Sequence, residues 1–190
     1  TRSLCDWSSD VCSSDLGDEI VPGINALMGE VDAIVLTQDW HPSGHSSFAS
    51  SHPGKDPMTL IDMPYGPQVL WPDHCIQGTH GAAFHGRLNT DAADMIVRKG
   101  YNPEIDSYSG FYENDHSTPT GLHGYLQTRG IERLTMVGIA TDFCVNYTAV
   151  DAAKLGYQVE VREDLCRGID LDGSLAAAKT AMDAAGVRII

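Results

Sequence analysis

The sequence predicts an α/β protein with three layers, α/β/α, built on a mostly parallel, doubly wound sheet. Segments with the apolar periodicity of helices alternate along the chain with short runs of aliphatic residues. The first of these runs is apolar almost throughout, which is typical of a strand buried on both faces of a sheet. With 190 residues, the chain has the length of a single domain.

The predicted elements follow one another from residue 17 onwards. A helix is predicted at 17–31, because acidic residues come first and the apolar residues after them share one face. The later helices are predicted at 120–131, 143–157 and 174–186, and the strands at 32–40, 94–100, 132–140, 157–164 and 187–190. A long irregular stretch, 41–91, separates the first two strands, and its Trp, Phe and His content favours a functional loop.

Composition excludes several classes of protein. The net charge of -14 argues against a nucleic-acid partner, because phosphate binding needs clustered Lys and Arg. No apolar run is long enough to span a membrane, and the acidic head lacks the apolar segment of a secretory signal. Five cysteines without framework spacing fit a reducing compartment. We therefore expect a cytoplasmic protein.

Polar residues at the exit of the first long strand could bind a metal ion. Asp39 and His41, two residues apart at a strand exit, point to the same side. His45 and His74 could add further nitrogen ligands. Histidines with one carboxylate suit Zn, Fe or Mn. On spacing alone, hydrogen-bonded loop histidines explain the pattern equally well.

Other strand exits carry a thiol and an ammonium group. Cys144 begins a helix, where the helix dipole favours a thiolate, and the amides around Ala140 and Cys144 could form an oxyanion hole. Lys99 could face a developing negative charge, while Trp71 and Tyr108 could form the walls around a flat ring. The alternatives are a buried structural Cys, a solvated Lys and ordinary aromatic packing.

Four motifs, taken in order, resemble the bacterial nicotinamidases (pyrazinamidases) of the isochorismatase-like cysteine hydrolase superfamily. They are TQDWHPSGHSSFAS, LWPDHCIQGTHGAAFH, RKGYNPEIDSYSGFYEN and VGIATDFCVNYTAVDAAKLGY, and the similarity extends from about residue 17 to the C-terminus. The resemblance implies a metal-assisted amidohydrolase that converts nicotinamide to nicotinate and ammonia in NAD salvage.

The resemblance also implies a role for each matching residue. Asp39, His41 and His74 match the ligands of one divalent metal ion, with Zn expected before Fe or Mn, and His45 matches a position that is a ligand in some members. Cys144 matches the nucleophile and Lys99 the catalytic lysine. Ala140 matches the residue that shares the oxyanion hole with Cys144, and a cis peptide bond is expected before it. The positions that line the pyridine pocket are Trp71, Tyr108 and Phe143.

The head of the chain does not resemble the family. Members begin with a central strand that ends in a catalytic Asp, and counting back from Gly17 places that Asp near Thr1. We therefore interpret residues 1–16 as a non-native, adapter-derived head, and 17–190 as one hydrolase domain shortened at its N-terminus, whose abrupt stop at Ile190 suggests a missing C-terminal piece as well. On this interpretation the first central strand is missing and the chain has low activity.

The nicotinamidase interpretation has three alternatives. Another isochorismatase-like hydrolase, such as an isochorismatase or an N-carbamoyl amidohydrolase, generally lacks the DxH…H metal set. An inactive metal- or ligand-binding fragment would bind nicotinate without releasing ammonia. A zinc deaminase needs HxE and PCxxC motifs, which do not occur in the sequence. The sequence leaves open whether the chain forms a homo-oligomer.

Overall fold

The computed structural model describes the backbone of residues 2–6 and all of residues 17–190. The strands are β1 (Arg2–Asp6), β2 (Ala33–Asp39), β3 (Leu60–Met63), β4 (Gly66–Val69), β5 (Met95–Lys99), β6 (Arg133–Ile139), β7 (Gln158–Arg167) and β8 (Arg188–Ile189). The helices are α1 (Val21–Met28), α2 (Leu122–Thr128), α3 (Asn146–Lys154) and α4 (Ser174–Ala184). A π-helical turn, Thr141–Val145, precedes α3.

The main sheet is parallel and doubly wound, as predicted. Its strands lie in the order β5-β2-β1-β6-β7-β8, and every pairing in it is parallel. The chain passes from β1 outwards to β2 and β5, and then returns to the other side of β1 to form β6. Ligands bind at the carboxyl ends of strands beside such a reversal.

The position of the central strand requires a correction. The sequence predicts that this strand is missing, but the backbone of Arg2–Asp6 occupies it, with Leu4 in register with Val35 of β2 and Met136 of β6. A parallel ladder is formed by backbone groups, so a polar sequence can complete it. The prediction of a missing strand is therefore wrong, whereas the foreign origin of residues 1–16 stays a prediction.

Two hydrophobic clusters cover the two faces of the sheet. Leu36 of β2 belongs to one cluster together with Ile24 of α1. The neighbouring Val35 belongs to the other, with Leu126 of α2 and Met182 of α4. Successive residues of a strand point to opposite faces, so β2 is buried on both sides. This arrangement confirms the three-layer prediction.

The predicted elements are present with two differences. The long segment 41–91 contains an antiparallel hairpin, β3–β4, which its irregular composition did not indicate. The helix predicted from Phe143 begins as the π-helical turn, and regular α-helix follows from Asn146. Among the helices of the described residues, none has the length and apolarity needed to cross a membrane.

Candidate active site

Lys99 connects two groups of side chains at the carboxyl end of the sheet. Its Nζ donates to Asp39 Oδ1 at 2.5 Å and to the Ser107 carbonyl at 3.1 Å. The same Nζ lies 3.3 Å from Cys144 Sγ. Only 1% of Lys99 is exposed, and a buried ammonium group needs such partners to offset its lost hydration. The interpretation of Lys99 as a solvated strand-end residue is therefore wrong.

Asp39, His41 and His74 form a group that suits a divalent metal ion. One ligand atom from each lies within 4.8 Å of the others. His41 Nδ1–H donates to the Gly100 carbonyl at 2.8 Å, and His74 Nδ1–H donates to the Pro72 carbonyl at 2.9 Å. These bonds fix the tautomer that keeps a lone pair on each Nε2, the state in which imidazole binds a metal.

The electrostatics of this group keep Asp39 and His41 in the protonation states that bind a metal. Burial alone would raise the pKa of Asp39, but the charges of Lys99, His41 and His74 bring that pKa below its ordinary value. Burial lowers the pKa of His41 to about 4, although Asp106 and Asp39 act in the opposite direction. At neutral pH, Asp39 is ionised and His41 is neutral.

Gly100 allows the close approach that orients His41. Its φ is +66°, and a Cβ added at this position would lie 2.4 Å from His41 Cε1. A side chain would therefore be strained and would also collide with the imidazole ring. The glycine after Lys99 lets the backbone carbonyl reach His41 Nδ1.

His45 lies beside this group, but both of its ring nitrogens have protein partners. The Ser47 backbone N–H donates to Nδ1 at 3.1 Å, with Ser47 Oγ 2.8 Å from the same atom. Nε2–H donates to the Asn102 carbonyl at 2.8 Å. The His45 and His41 ring centroids are 4.5 Å apart. The assignment of His45 as a direct ligand stays a prediction, and these bonds favour a supporting role.

The turn Thr141–Val145 presents Cys144 at the end of β6. It follows a cis peptide bond between Ile139 and Ala140, as the resemblance implies. The N–H groups of Phe143 and Val145 both donate to the Ala140 carbonyl, at 3.2 and 3.1 Å. Single π-helical turns of this kind are frequent at functional sites. The half-buried thiol lies at the head of α3 and beside the Lys99 ammonium, which favours its thiolate form.

Three aromatic residues predicted to line a pocket lie together. The Phe143 ring centroid is 4.8 Å from that of Trp71 and 5.5 Å from that of Tyr108. Trp71 Nε1–H donates to the Tyr108 hydroxyl at 3.0 Å. Burial, followed by the charge of Asp106, raises the pKa of Tyr108 well above its ordinary value, so the phenol is neutral. These edge-to-face rings can enclose a flat apolar group.

A buried polar network behind the aromatic rings was missed by the sequence analysis. Gln68 Nε2 donates to the Tyr108 hydroxyl at 2.8 Å and to Asp106 Oδ2 at 2.9 Å. Asn114 Nδ2 donates to Gln68 Oε1 at 3.1 Å. The motif RKGYNPEIDSYSGFYEN contains Asp106 and Asn114, but Gln68 stands in the unpredicted hairpin. Only the dense polar content of that motif could have signalled the network.

Comparison with known proteins identifies the family. The family model described as the isochorismatase domain matches residues 4–190. The chain is 54% identical to a nicotinamidase from Acinetobacter baylyi over 173 residues, which cover 91% of this chain and 81% of the relative. This chain therefore belongs to the isochorismatase domain family.

Two solved structures agree with the fold. A nicotinamidase and pyrazinamidase from Acinetobacter baumanii superposes with a TM-score of 0.97 at 51% identity, covering 100% of this chain and 94% of that one. A pyrazinamidase from Pyrococcus horikoshii, solved in complex with zinc, gives a TM-score of 0.77 at 30% identity, covering 100% and 97%.

Proposed function

We propose that this protein is a nicotinamidase, which hydrolyses nicotinamide to nicotinate and ammonia. The observation that carries the proposal is the position of Lys99 Nζ, 2.5 Å from Asp39 Oδ1 of the metal group and 3.3 Å from Cys144 Sγ. The nucleophile and the metal group are thereby held on either side of one buried cation. The names of the similar proteins support nicotinamide as the substrate.

Asp39, His41 and His74 would hold the metal ion, and Zn is the proposed metal because a similar pyrazinamidase was solved with zinc. A bound divalent ion would supply a Lewis-acidic contact for the pyridine nitrogen of the substrate. Trp71 and Phe143, with the fixed phenol of Tyr108, would orient the ring and exclude water from it.

Cys144 is the proposed nucleophile. Its thiolate attacks the carboxamide carbon, and the backbone N–H groups of Ala140 and Cys144 stabilise the oxyanion. Lys99 stabilises the thiolate before attack, since its ammonium group is the cation beside the sulfur. Expulsion of ammonia leaves a thioester on Cys144, and water then releases nicotinate and restores the thiol.

This reaction needs a group that takes the thiol proton and delivers it to the leaving ammonia. The last residue of β1, Asp6, is in register with Thr37 and Gly138, each of which precedes a site residue by two positions. Those site residues are Asp39 and Ala140. We propose Asp6 as the proton carrier on the basis of this backbone position, in place of the prediction that the carboxylate is absent.

Ammonia release from nicotinamide tests the proposal. The chain, loaded with Zn, is compared with Cys144→Ala, Asp6→Asn and Asp18→Asn. We expect no turnover without the thiol, and a loss on the order of 10²–10⁴-fold without the Asp6 carboxylate. Asp18 forms an exposed ion pair with Arg87, so Asp18→Asn makes the same charge change outside the site and should leave turnover unchanged.

The outcomes separate the two parts of the proposal. Turnover in Cys144→Ala would overturn the nucleophile. Native-like turnover in Asp6→Asn would overturn the proton carrier alone. If the unaltered chain binds metal and nicotinate without turnover, the low activity expected from the foreign head is correct, and the chain is a binding fragment. We also propose that the protein is located in the cytoplasm.

A further inference from the structure

Asp142 lies inside the turn that presents the nucleophile, and it is only 3% exposed. It stands two residues after Ala140 and two residues before Cys144, the residues whose amides form the proposed oxyanion hole. A buried carboxylate is costly unless donors surround it. The donors of Asp142 therefore determine how this turn is held.

These donors come from the segment between β7 and α4 and from the first residue of α4. The backbone N–H of Ile169 donates to Asp142 Oδ1 at 3.0 Å, and that of Asp170 donates to Oδ2 at 2.8 Å. The Ser174 hydroxyl donates to Oδ2 at 2.5 Å. Both carboxylate oxygens are thus bound by a segment distant in sequence, which ties the turn to the start of α4.

The shape of this segment fits the carboxylate. Asp170 has a φ of 57°, in the left-handed region, so that consecutive N–H groups converge on one anion. A Cβ added to Gly168 would lie 2.9 Å from Leu175 Cδ1 and 3.3 Å from Asp142 Oδ1. The backbone at Gly168 therefore packs directly against Asp142 of the turn, with no space for a side chain between them.

We propose that Asp142 is a positioning residue for the hydrolysis, a role that rests on the proposed function. Its carboxylate fixes the turn against the β7–α4 segment, which holds Cys144 Sγ beside Lys99 Nζ and keeps the two oxyanion amides in place. Asp142 acts through the turn and transfers no proton. Correct placement of a nucleophile matters because a displacement of about 1 Å can cost on the order of 100-fold in rate.

The variant Asp142→Asn distinguishes an effect of Asp142 on the position of Cys144 from an effect of its negative charge on the thiol. Its amide nitrogen would face the N–H of Asp170 or that of Ile169, so at least one of the three hydrogen bonds is lost. If only charge mattered, removal of a negative group near Cys144 would favour the thiolate and speed its alkylation. Displacement of Cys144 should instead slow alkylation, because the sulfur moves away from the Lys99 ammonium group that favours its thiolate.

The test measures alkylation of Cys144 by iodoacetamide at pH 7, with the label located by peptide mapping, and also kcat and KM for nicotinamide. Asp142→Asn is compared with the milder Ser174→Ala and with Asp164→Asn. Asp164 pairs with Arg162 at the surface, and its substitution makes the same charge change without touching the turn. All rates are taken well below the melting temperature of each variant.

We expect Asp142→Asn to slow alkylation and to lower kcat, each on the order of 10- to 100-fold, with KM little changed. Ser174→Ala should shift both in the same direction by less, and Asp164→Asn should change neither. Unchanged or faster alkylation in Asp142→Asn and Ser174→Ala would overturn the proposal. If Asp142→Asn does not fold, Ser174→Ala decides. Alkylation needs no substrate, so the alkylation rates would still test the role of Asp142 if the protein did not hydrolyse nicotinamide.

Discussion

Two groups, each of three histidine and carboxylate side chains, lie side by side at the carboxyl end of the sheet and share the ring of His41. One contains Asp39, His41 and His74, and the other contains His41, His45 and Asp106. In each group the ligand atoms lie within 4.8 Å of one another. By residue type and distance, the two groups are equivalent candidates for a metal.

Their hydrogen bonds distinguish them. In the first group, His41 and His74 each use Nδ1 to donate to a backbone carbonyl, which leaves the Nε2 lone pairs for a metal. In the second, both nitrogens of His45 are bound to protein atoms, and both oxygens of Asp106 accept hydrogen bonds. A cluster of ligand-type residues is therefore a metal site only where its lone pairs are still available.

The largest expected effect comes from removing a ligand of the first group. His74→Ala should abolish stable metal binding and lower activity by more than about 100-fold, because only two ligands remain. His45→Ala should keep the metal, although its lost hydrogen bonds destabilise the fold. Metal content by mass spectrometry and ammonia release check both variants. Equal metal loss in the two variants would show that the two groups do not differ in metal binding.

Orientation of His41 gives the next effect. Gly100→Ala should weaken metal affinity about 10- to 100-fold, since the added Cβ collides with the ring that the Gly100 carbonyl orients. Gly44→Ala is the matched control, because Gly44 also has a positive φ, +74°, but an added Cβ there meets nothing within 4 Å. Competition with a chromogenic chelator measures the affinity. Equal weakening in both variants would show that backbone strain alone is responsible.

Acid should destabilise the metal-free protein through His41. Its folded pKa of about 4 lies below the ordinary histidine value of 6.5, mainly because of burial, so the unfolded chain takes up the proton first. Stability from this group is full above pH 6.5 and falls as pH decreases towards 4. The expected loss between pH 7 and pH 5 is about 2 kcal/mol. Denaturant unfolding at both pH values should show this loss, and His41→Asn should remove it.

The smallest effect is expected in the second group. Asp106→Asn replaces one of two accepting oxygens by a donor, which should lower the free energy of unfolding by about 1 kcal/mol. Metal content should not change. Urea unfolding and metal analysis of the same sample decide the matter, and a loss of metal would make Asp106 part of the binding site.

Sequence reasoning predicted the parallel sheet, because the apolar runs of β2, β5 and β6 alternate along the chain with segments of helical periodicity. It also placed Asp39, Lys99 and Cys144 at strand exits, which parallel topology brings together. Spacing alone could not tell His74 from His45, since the difference lies in the hydrogen bonds that their ring nitrogens make in the folded chain. The strand Arg2–Asp6 was missed because no apolar pattern marks it, and its pairing depends on the two strands beside it.

Because β1 lies between β2 and β6, it also sets a distance. Lys99 and Asp39 stand on the β5–β2 side, whereas Ala140 and Cys144 follow β6, so the two halves of the site are separated by the width of the central strand. Adjacent strands lie about 4.8 Å apart whatever their side chains, which gives about 10 Å from β2 to β6. Any sequence that pairs here as a strand maintains this spacing, so the distance between the two halves of the site depends on strand geometry more than on the identity of residues 2–5.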